Sequence, residues 1–204
     1  MVTLDYIRDI RIYQNRDGYR FSVDALLLYS FVNIPRASRI IDLGAGSGII
    51  GMLLAKKYRN AKVYLVEVQK GLVTLSEKNV RLNNLQDRVF VFPADIRKLN
   101  KKLTEDYLLL SKGFKILNSP ILPESFDIVV SNPPFRKVKS GLISNGDERA
   151  VARHELMVSL FDIIEAAVLL LKHQGRLFII HLPERLTEII NTLRSHKLEP
   201  KRLR

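Results

Sequence analysis

Residues Ile40-Ile41-Asp42-Leu43-Gly44-Ala45-Gly46-Ser47-Gly48 read as a buried strand that runs into a glycine turn and then into a helix. Glycine tolerates φ > 0 and, lacking a Cβ, lets a ligand approach the backbone closely. In an open parallel sheet such a turn lies at the carboxyl edge, where ligands bind. Two cofactors compete for it. Gly46, Gly48 and Gly51 satisfy the dinucleotide spacing G-x-G-x-x-G, whereas Gly44, Gly46 and Gly48 give G-x-G-x-G directly after the strand. Asp42 precedes the first glycine and places a carboxylate where the cationic methionine end of S-adenosylmethionine can lie. Register and carboxylate together tilt the choice toward the sulfonium cofactor.

On either side of this turn, short apolar runs alternate with longer segments of helical period. Strands are predicted at 39–43, 62–66, 88–92, 126–131 and 176–181, and helices over 48–58, 70–83, 104–111, 155–172 and 184–196. Strands alternating with helices of this length imply right-handed crossovers and a mostly parallel sheet covered on both faces. The unbroken apolar runs Ile128-Val129-Val130 and Leu177-Phe178-Ile179-Ile180 fit strands buried on both sides. An amphipathic stretch precedes the first of these strands. At 204 residues and 47% hydrophobic, one core is the expectation. The chain reads as a single domain, 1–204, with an N-terminal cap segment at 1–36 and a Rossmann-like core at 37–204.

Two further carboxylates follow the same sheet edge. Glu67, ending the second predicted strand, is placed to accept from both ribose hydroxyls, as it would in a dinucleotide site; otherwise it is an exposed strand-end acid. Asp95, after the third, is placed to accept from an adenine amino group; otherwise it is a helix N-cap. Ala45, Val68 and Ile96 adjoin these positions and complete the candidate cofactor wall.

The fourth strand ends in Asn132-Pro133-Pro134-Phe135. Two prolines stop a strand, but that accounts for neither the Asn nor the Phe. An exocyclic amine on a base is a poor nucleophile because its lone pair is delocalised into the ring. Two acceptors aimed at its N–H bonds would draw it toward tetrahedral geometry. The Asn132 side-chain oxygen and the Pro133 carbonyl are suitable, and the stiff Pro133-Pro134 pair holds that carbonyl in place. Phe135 offers a flat face for an extruded base. Orientation toward an activated methyl would do the rest, without a dedicated general base.

Thirty-three Lys and Arg against 21 Asp and Glu leave a formal charge of +12, which favours a polyanionic partner, nucleic acid first. The basic residues cluster, for instance at Arg136, Lys137 and Lys139 just past the prolines. Asp5, Arg8, Asp9 and Arg11 interrupt the apolar residues of the start, and nowhere do eighteen apolar residues run unbroken, so neither a signal peptide nor a membrane span is expected. Cysteine is absent, and His154, His173, His181 and His196 lack ligand spacing, so no metal is expected. A reducing cytoplasm fits this composition.

With both motifs in place, the sequence resembles class I S-adenosylmethionine-dependent methyltransferases of the N-P-P-[FY] type. More narrowly, it is similar to the tRNA1(Val) adenine-N6 methyltransferase family. The narrower likeness rests on Gln14-Asn15-Arg16-Asp17-Gly18-Tyr19-Arg20-Phe21-Ser22-Val23-Asp24-Ala25-Leu26-Leu27-Leu28 and on Asp147-Glu148-Arg149-Ala150-Val151-Ala152-Arg153-His154-Glu155. The resemblance implies methyl transfer from S-adenosylmethionine to an exocyclic amino group of an RNA base, adenine N6 in tRNA above all. It implies that Phe21, Ser22 and Asp24 wall the methionine end of the cofactor, and that Arg136 and Lys137 lie near RNA. Arg149 and Arg153, four apart on a helix, are either phosphate contacts or a solvated face.

Alternatives stay open at this point. The same tetrapeptide serves guanine-N2 methyltransferases of ribosomal RNA, and close relatives of it serve protein glutamine-N5 methyltransferases. A dinucleotide oxidoreductase explains the glycine turn but leaves Asn132 to Phe135 unexplained, and a non-catalytic RNA-binding module is a further option. A fold of this kind ends in an antiparallel hairpin, yet only 197–204 follow the last predicted helix. Either the chain is a fragment, or the hairpin is shortened or missing and 176–181 is left as a hydrophobic edge. A monomer or weak dimer is expected.

Overall fold

The computed structural model describes residues 2–16, 20–111, 120–133 and 158–204. An antiparallel hairpin opens it, β1 (Val2–Ile7) and β2 (Ile10–Asn15), followed by α1 (Val23–Phe31). Then come β3 (Arg39–Leu43), α2 (Ile49–Lys57), β4 (Lys62–Glu67), α3 (Lys70–Leu82), β5 (Val89–Pro93), α4 (Ile96–Ser111) and β6 (Phe126–Ser131). The described chain closes with α5 (Leu160–Leu170), β7 (Leu171–Ile179), a 3-10 turn at Pro183–Arg185 and α6 (Leu186–Ser195). Five strands form one sheet in the order β5-β4-β3-β6-β7, and every neighbouring pair in it is parallel.

The period-2 alternation of the inner strands divides the core into two layers. Ile40, Val63, Leu65, Ile128 and Val130 face α1, α2 and the hairpin residues Ile10 and Ile12. Ile41, Leu43, Tyr64, Val66 and Val129 face α4 and α5 through Ile96, Leu99, Leu103, Ile163 and Ala167. Because β3 and β6 are enclosed from both sides, their apolar runs are unbroken. Helix α2 is buried from Ile49 to Ala55, as a helix that is apolar all round must be.

Several elements differ from the sequence reading. The N-terminal stretch is a hairpin: Ile10 and Ile12 alternate inward while Arg11 and Tyr13 stay outside. Helix α4 begins at Ile96, eight residues before the predicted start. Its lysines conceal an i, i+3, i+7 stripe of buried Ile96, Leu99 and Leu103. Helix α5 begins at Leu160 because Ser159 and Asp162 form a reciprocal capping box; the predicted residues 155–157 lie outside those described. It also stops at Leu170, short of Lys172, and passes straight into β7. Strand β7 therefore starts five residues before the predicted one, and its register jumps: Phe126 pairs with Leu171, but Ile128 pairs with Arg176. No strand follows β7 among the described residues, so it lies at the edge of the sheet.

At the amino end of the sheet, one carboxylate ties three strands together. Asp127 Oδ2 accepts from the Ser38 N–H, the Ser38 hydroxyl and the Arg39 N–H at 2.7–2.8 Å, and Oδ1 accepts from Lys172 Nζ at 2.7 Å. Burial alone would push this carboxyl up, but Lys172 and the Ser38 and Arg39 donors hold it at about 2. The hairpin is fastened differently. Asn79 and Asn83, one turn apart on α3, present their carboxamides to the outer edge of β2. Tyr13 N–H donates to Asn79 Oδ1 (2.7 Å) and Arg11 N–H to Asn83 Oδ1 (2.9 Å), while each Nδ2 donates back to the same residue's carbonyl. Two side chains thus do what a neighbouring strand would do for β2.

Candidate functional site

Strand β3 delivers the glycine turn at the carboxyl edge. Gly44, Gly46 and Gly48 adopt φ of 76°, 58° and 86°, values that side-chain-bearing residues rarely accept. The Gly44 and Ala45 N–H groups both donate to the Val66 carbonyl, which curls the turn over the end of β4. Gly44 is the exposed residue of the turn, and a Cβ added there would meet nothing within 4 Å among the described residues. Gly51 has another task. A Cβ there would stand 2.2 Å from Leu65 Cδ2, so this glycine sets how closely α2 packs on β4.

The two carboxylates of this edge brace the turn. Asp42 is fully enclosed; its Oδ2 accepts from the Gly51 N–H at 3.1 Å, and Oδ1 has no partner among the described residues. Burial pushes its carboxyl up to about 7, the Gly51 N–H counteracts that in part, and the nearby Glu67 carboxylate adds to the rise. Glu67 Oε2 accepts from the Gly46 N–H, and Oε1 from the Val68 and Gln69 N–H groups, all at 2.9 Å. Three donors already fill most of a carboxylate's acceptor positions, so ribose hydroxyls would have to share or displace them.

Strand β6 ends beside the same turn. Val130 pairs with Asp42, and the Ser131 hydroxyl donates to the Leu43 carbonyl at 2.8 Å. Asn132 and Pro133 therefore leave the sheet next to Gly44, Asn132 half-buried and Pro133 buried. Pro134, Phe135, Arg136, Lys137, Arg149 and Arg153 lie outside the described residues.

The remaining candidates are spread along this edge. Phe21 is half-buried, and its N–H donates to Gln14 Oε1 at 3.0 Å. Ser22 caps α1, accepting from the Asp24 N–H, while its hydroxyl donates to Asp24 Oδ2. Val68 is half-buried at the end of β4, and Ala45 and Ile96 are buried. Asp95 takes the position of a helix cap: Oδ1 accepts from the Arg97 N–H, and the Arg97 guanidinium grips both oxygens at 3.0 and 2.7 Å. The Arg97 side chain is the main reason its carboxyl lies below the ordinary range.

Sequence reading missed Asn79. Its Nδ2 donates to the Ser47 carbonyl as well as to Tyr13, so α3 joins the hairpin to the glycine turn. A signal was available, since Asn79 and Asn83 interrupt the buried face of an amphipathic helix at i, i+4 spacing. Gln14, fully enclosed between Asp5 and Phe21, is a second such residue, and nothing in its place in the N-terminal motif marks it as buried. Among the described residues no group of three or more His, Cys, Asp or Glu comes together as a metal site, and no helix is long and apolar enough to cross a membrane.

A doubly wound parallel sheet with a glycine turn after its first strand, an acid at the end of the second and Asn-Pro after the fourth has the architecture of the class I S-adenosylmethionine-dependent methyltransferases. The chain belongs to the methyltransferase small domain family, whose model matches residues 22–195. It is 30% identical over 176 residues to a tRNA1(Val) (adenine(37)-N6)-methyltransferase of Trichodesmium erythraeum, covering 85% of this chain and 65% of the relative. A protein of the same name from Porphyromonas gingivalis is 29% identical over 188 residues, covering 90% and 67%. The chain thus spans about two thirds of the length of these relatives. Among solved structures, a predicted O-methyltransferase from Agrobacterium tumefaciens superposes with a TM-score of 0.57 at 26% identity, over 84% of this chain and 67% of that one.

Proposed function

We propose that this chain is a single methyltransferase domain that methylates an exocyclic amino group of a nucleobase in RNA, adenine N6 in tRNA, using S-adenosylmethionine in the cytoplasm. The observation that carries the reading is the Ser131–Leu43 hydrogen bond, which brings the Asn132-Pro133 acceptors and the glycine turn together at one sheet edge. The names of the relatives and the +12 charge support tRNA as the substrate class.

The residues present fit the cofactor. Among the described residues, Gly44 leaves open space for close approach, and Asp42 Oδ1 is a buried acceptor without a donor. When bound, S-adenosylmethionine supplies an activated methyl carbon on a sulfonium. Phe21, Ser22 and Asp24 would border its methionine end, Glu67 and Val68 its ribose, and Asp95 and Ile96 its adenine. Asn132 and the Pro133 carbonyl would accept the two amino N–H bonds and turn the nitrogen lone pair toward the methyl carbon. Phe135 would stack on the base, and Arg136, Lys137, Arg149 and Arg153 would meet phosphates. After transfer the nitrogen sheds its proton to water, since an aryl ammonium is strongly acidic.

The test is mass spectrometry of nucleosides from bulk tRNA and ribosomal RNA incubated with the protein and isotope-labelled cofactor. N6-methyladenosine in tRNA is the expected product. Label in N2-methylguanosine of ribosomal RNA, or in protein, would replace this substrate assignment.

A further inference from the structure

The β1–β2 hairpin lies outside the family's matched region, which begins at residue 22, and one of its faces is turned to solvent. Register places Val2 opposite Asn15, Leu4 opposite Tyr13 and Tyr6 opposite Arg11 on that face. Val2 is 51% exposed, Leu4 41% and Tyr6 72%. A strand exposing three large apolar side chains in a row has an unusual surface, because a solvent-facing strand ordinarily alternates toward polar residues.

Charge and size narrow what fits there. The face carries Arg11 and no carboxylate: Asp5 points to the opposite face, where Gln14 and Arg20 bind it, and Asp9 lies in the turn. Cross-strand spacing of about 5 Å and an i, i+2 repeat of about 7 Å make the patch roughly the size of one or two nucleobases. A stable dimer needs on the order of 20 residues a side, far more than six, and a two-fold contact centred here would set arginine against arginine. Two tyrosines, a leucine and an arginine on a flat ribbon are what unpaired bases stack on. The platform is also stiff. Asn79 and Asn83 hold its outer edge, and the Arg11 guanidinium is fixed on the Leu82 carbonyl at 3.1 Å.

We infer that the outward face of the β1–β2 hairpin is a stacking surface for unpaired nucleotides of the RNA substrate, centred on Tyr6 and Arg11. This rests on the RNA reading above. The hairpin is joined to the candidate site from its inward side, where Gln14 holds Phe21, and along its outer edge, where Asn79 links Tyr13 to the Ser47 carbonyl.

The experiment measures fluorescence anisotropy of a labelled single-stranded RNA oligonucleotide with the wild-type chain, Tyr6→Ala and Tyr6→Phe, together with calorimetric S-adenosylmethionine affinity and sedimentation for each. Tyr6→Ala should weaken RNA binding about tenfold, as loss of one stacked base does. Tyr6→Phe should restore it, and cofactor affinity should not move in either variant. Equal RNA affinity in wild type and Tyr6→Ala would overturn the inference while leaving the RNA reading intact. A wild-type dimer that Tyr6→Ala dissociates would also overturn it, by assigning the face to a second copy. Absence of RNA binding by the wild type would remove the RNA reading, and this inference with it.

Discussion

Asn79 reaches Ser47 across the space between α3 and the glycine turn, donating from Nδ2 to the Ser47 carbonyl at 3.0 Å. The same carboxamide exchanges two hydrogen bonds with Tyr13. Position of the hairpin and shape of the turn are therefore linked through one buried side chain.

Asn79→Ala should cost about 3 kcal/mol, because three hydrogen bonds go and the Tyr13 N–H is left without its acceptor. Urea unfolding measures the loss. Amide exchange at Tyr13 should quicken by orders of magnitude while the amides of β3 keep their protection relative to global stability. Unchanged Tyr13 exchange would refute the linkage.

The raised carboxyl of Asp42 predicts an unusual pH dependence. In the unfolded chain an aspartate titrates near 3.9; in the folded protein Asp42 titrates at about 7. The folded state thus holds a proton that the unfolded state releases. Its contribution is fully present below about pH 4 and is lost as pH rises through 7, on the order of 4 kcal/mol in total. In Asp42→Asn this component should be missing, so the difference between variant and wild type, followed by urea unfolding from pH 4.5 to 8, should slope across that window. A flat difference would contradict the assignment.

Asp127 predicts the opposite sign. Its folded pKa of about 2 lies below the unfolded value, so its contribution is present above about pH 4 and is lost as pH falls through 2. Asp127→Asn should cost about 2 kcal/mol at neutral pH, a figure already reduced for screening at a partly solvated pair. The deficit should shrink on acidification, and thermal melts of both proteins between pH 2 and 7 check this.

Gly51→Ala should destabilise by about 1–3 kcal/mol through overpacking, because its Cβ would collide with Leu65 Cδ2 and approach Val63 Cγ1 to 3.2 Å. Both neighbours are fully buried and have little room to retreat. Leu65→Ala costs about 2–5 kcal/mol by itself, but the double variant should lose less than the sum of the two, and strict additivity would argue against the collision.

Asn132→Ala should reduce methyl transfer by about 100-fold or more, the typical cost of removing one preorganised polar contact, while calorimetric cofactor affinity stays within a few fold. Near-normal turnover would remove Asn132 from the grip on the amine.

The five-stranded sheet and the edge of the candidate site were legible in the sequence because β3 and β6 are buried on both sides, which leaves long apolar runs, and because three positive-φ positions in one turn favour glycine. The hairpin was not legible. Its outward residues are nearly as apolar as its inward ones, so no period-2 contrast marks a strand. The early start of α4 was masked by charge, and the end of α5 by the absence of any breaker between Leu170 and Leu171. Asp95 shows the limit for sites: spacing alone placed it at the correct edge, but only coordinates reveal that Arg97 already holds its carboxylate.

The register jump in β7 has a mechanical side. Between the Phe126–Leu171 and Ile128–Arg176 pairs, four residues of β7 stand against Asp127 alone; the first, Lys172, is pinned to Asp127 Oδ1, and a Cβ on the last, Gly175, would meet the Phe126 and Lys172 carbonyls at 2.9 Å. The bulge is therefore closely packed, and a side chain at its last position would collide with backbone. Beyond it β7 returns to register, Leu177 opposite Val129 and Ile179 opposite Ser131, so the alignment of the strand beside Asn132 hangs on a glycine four residues upstream.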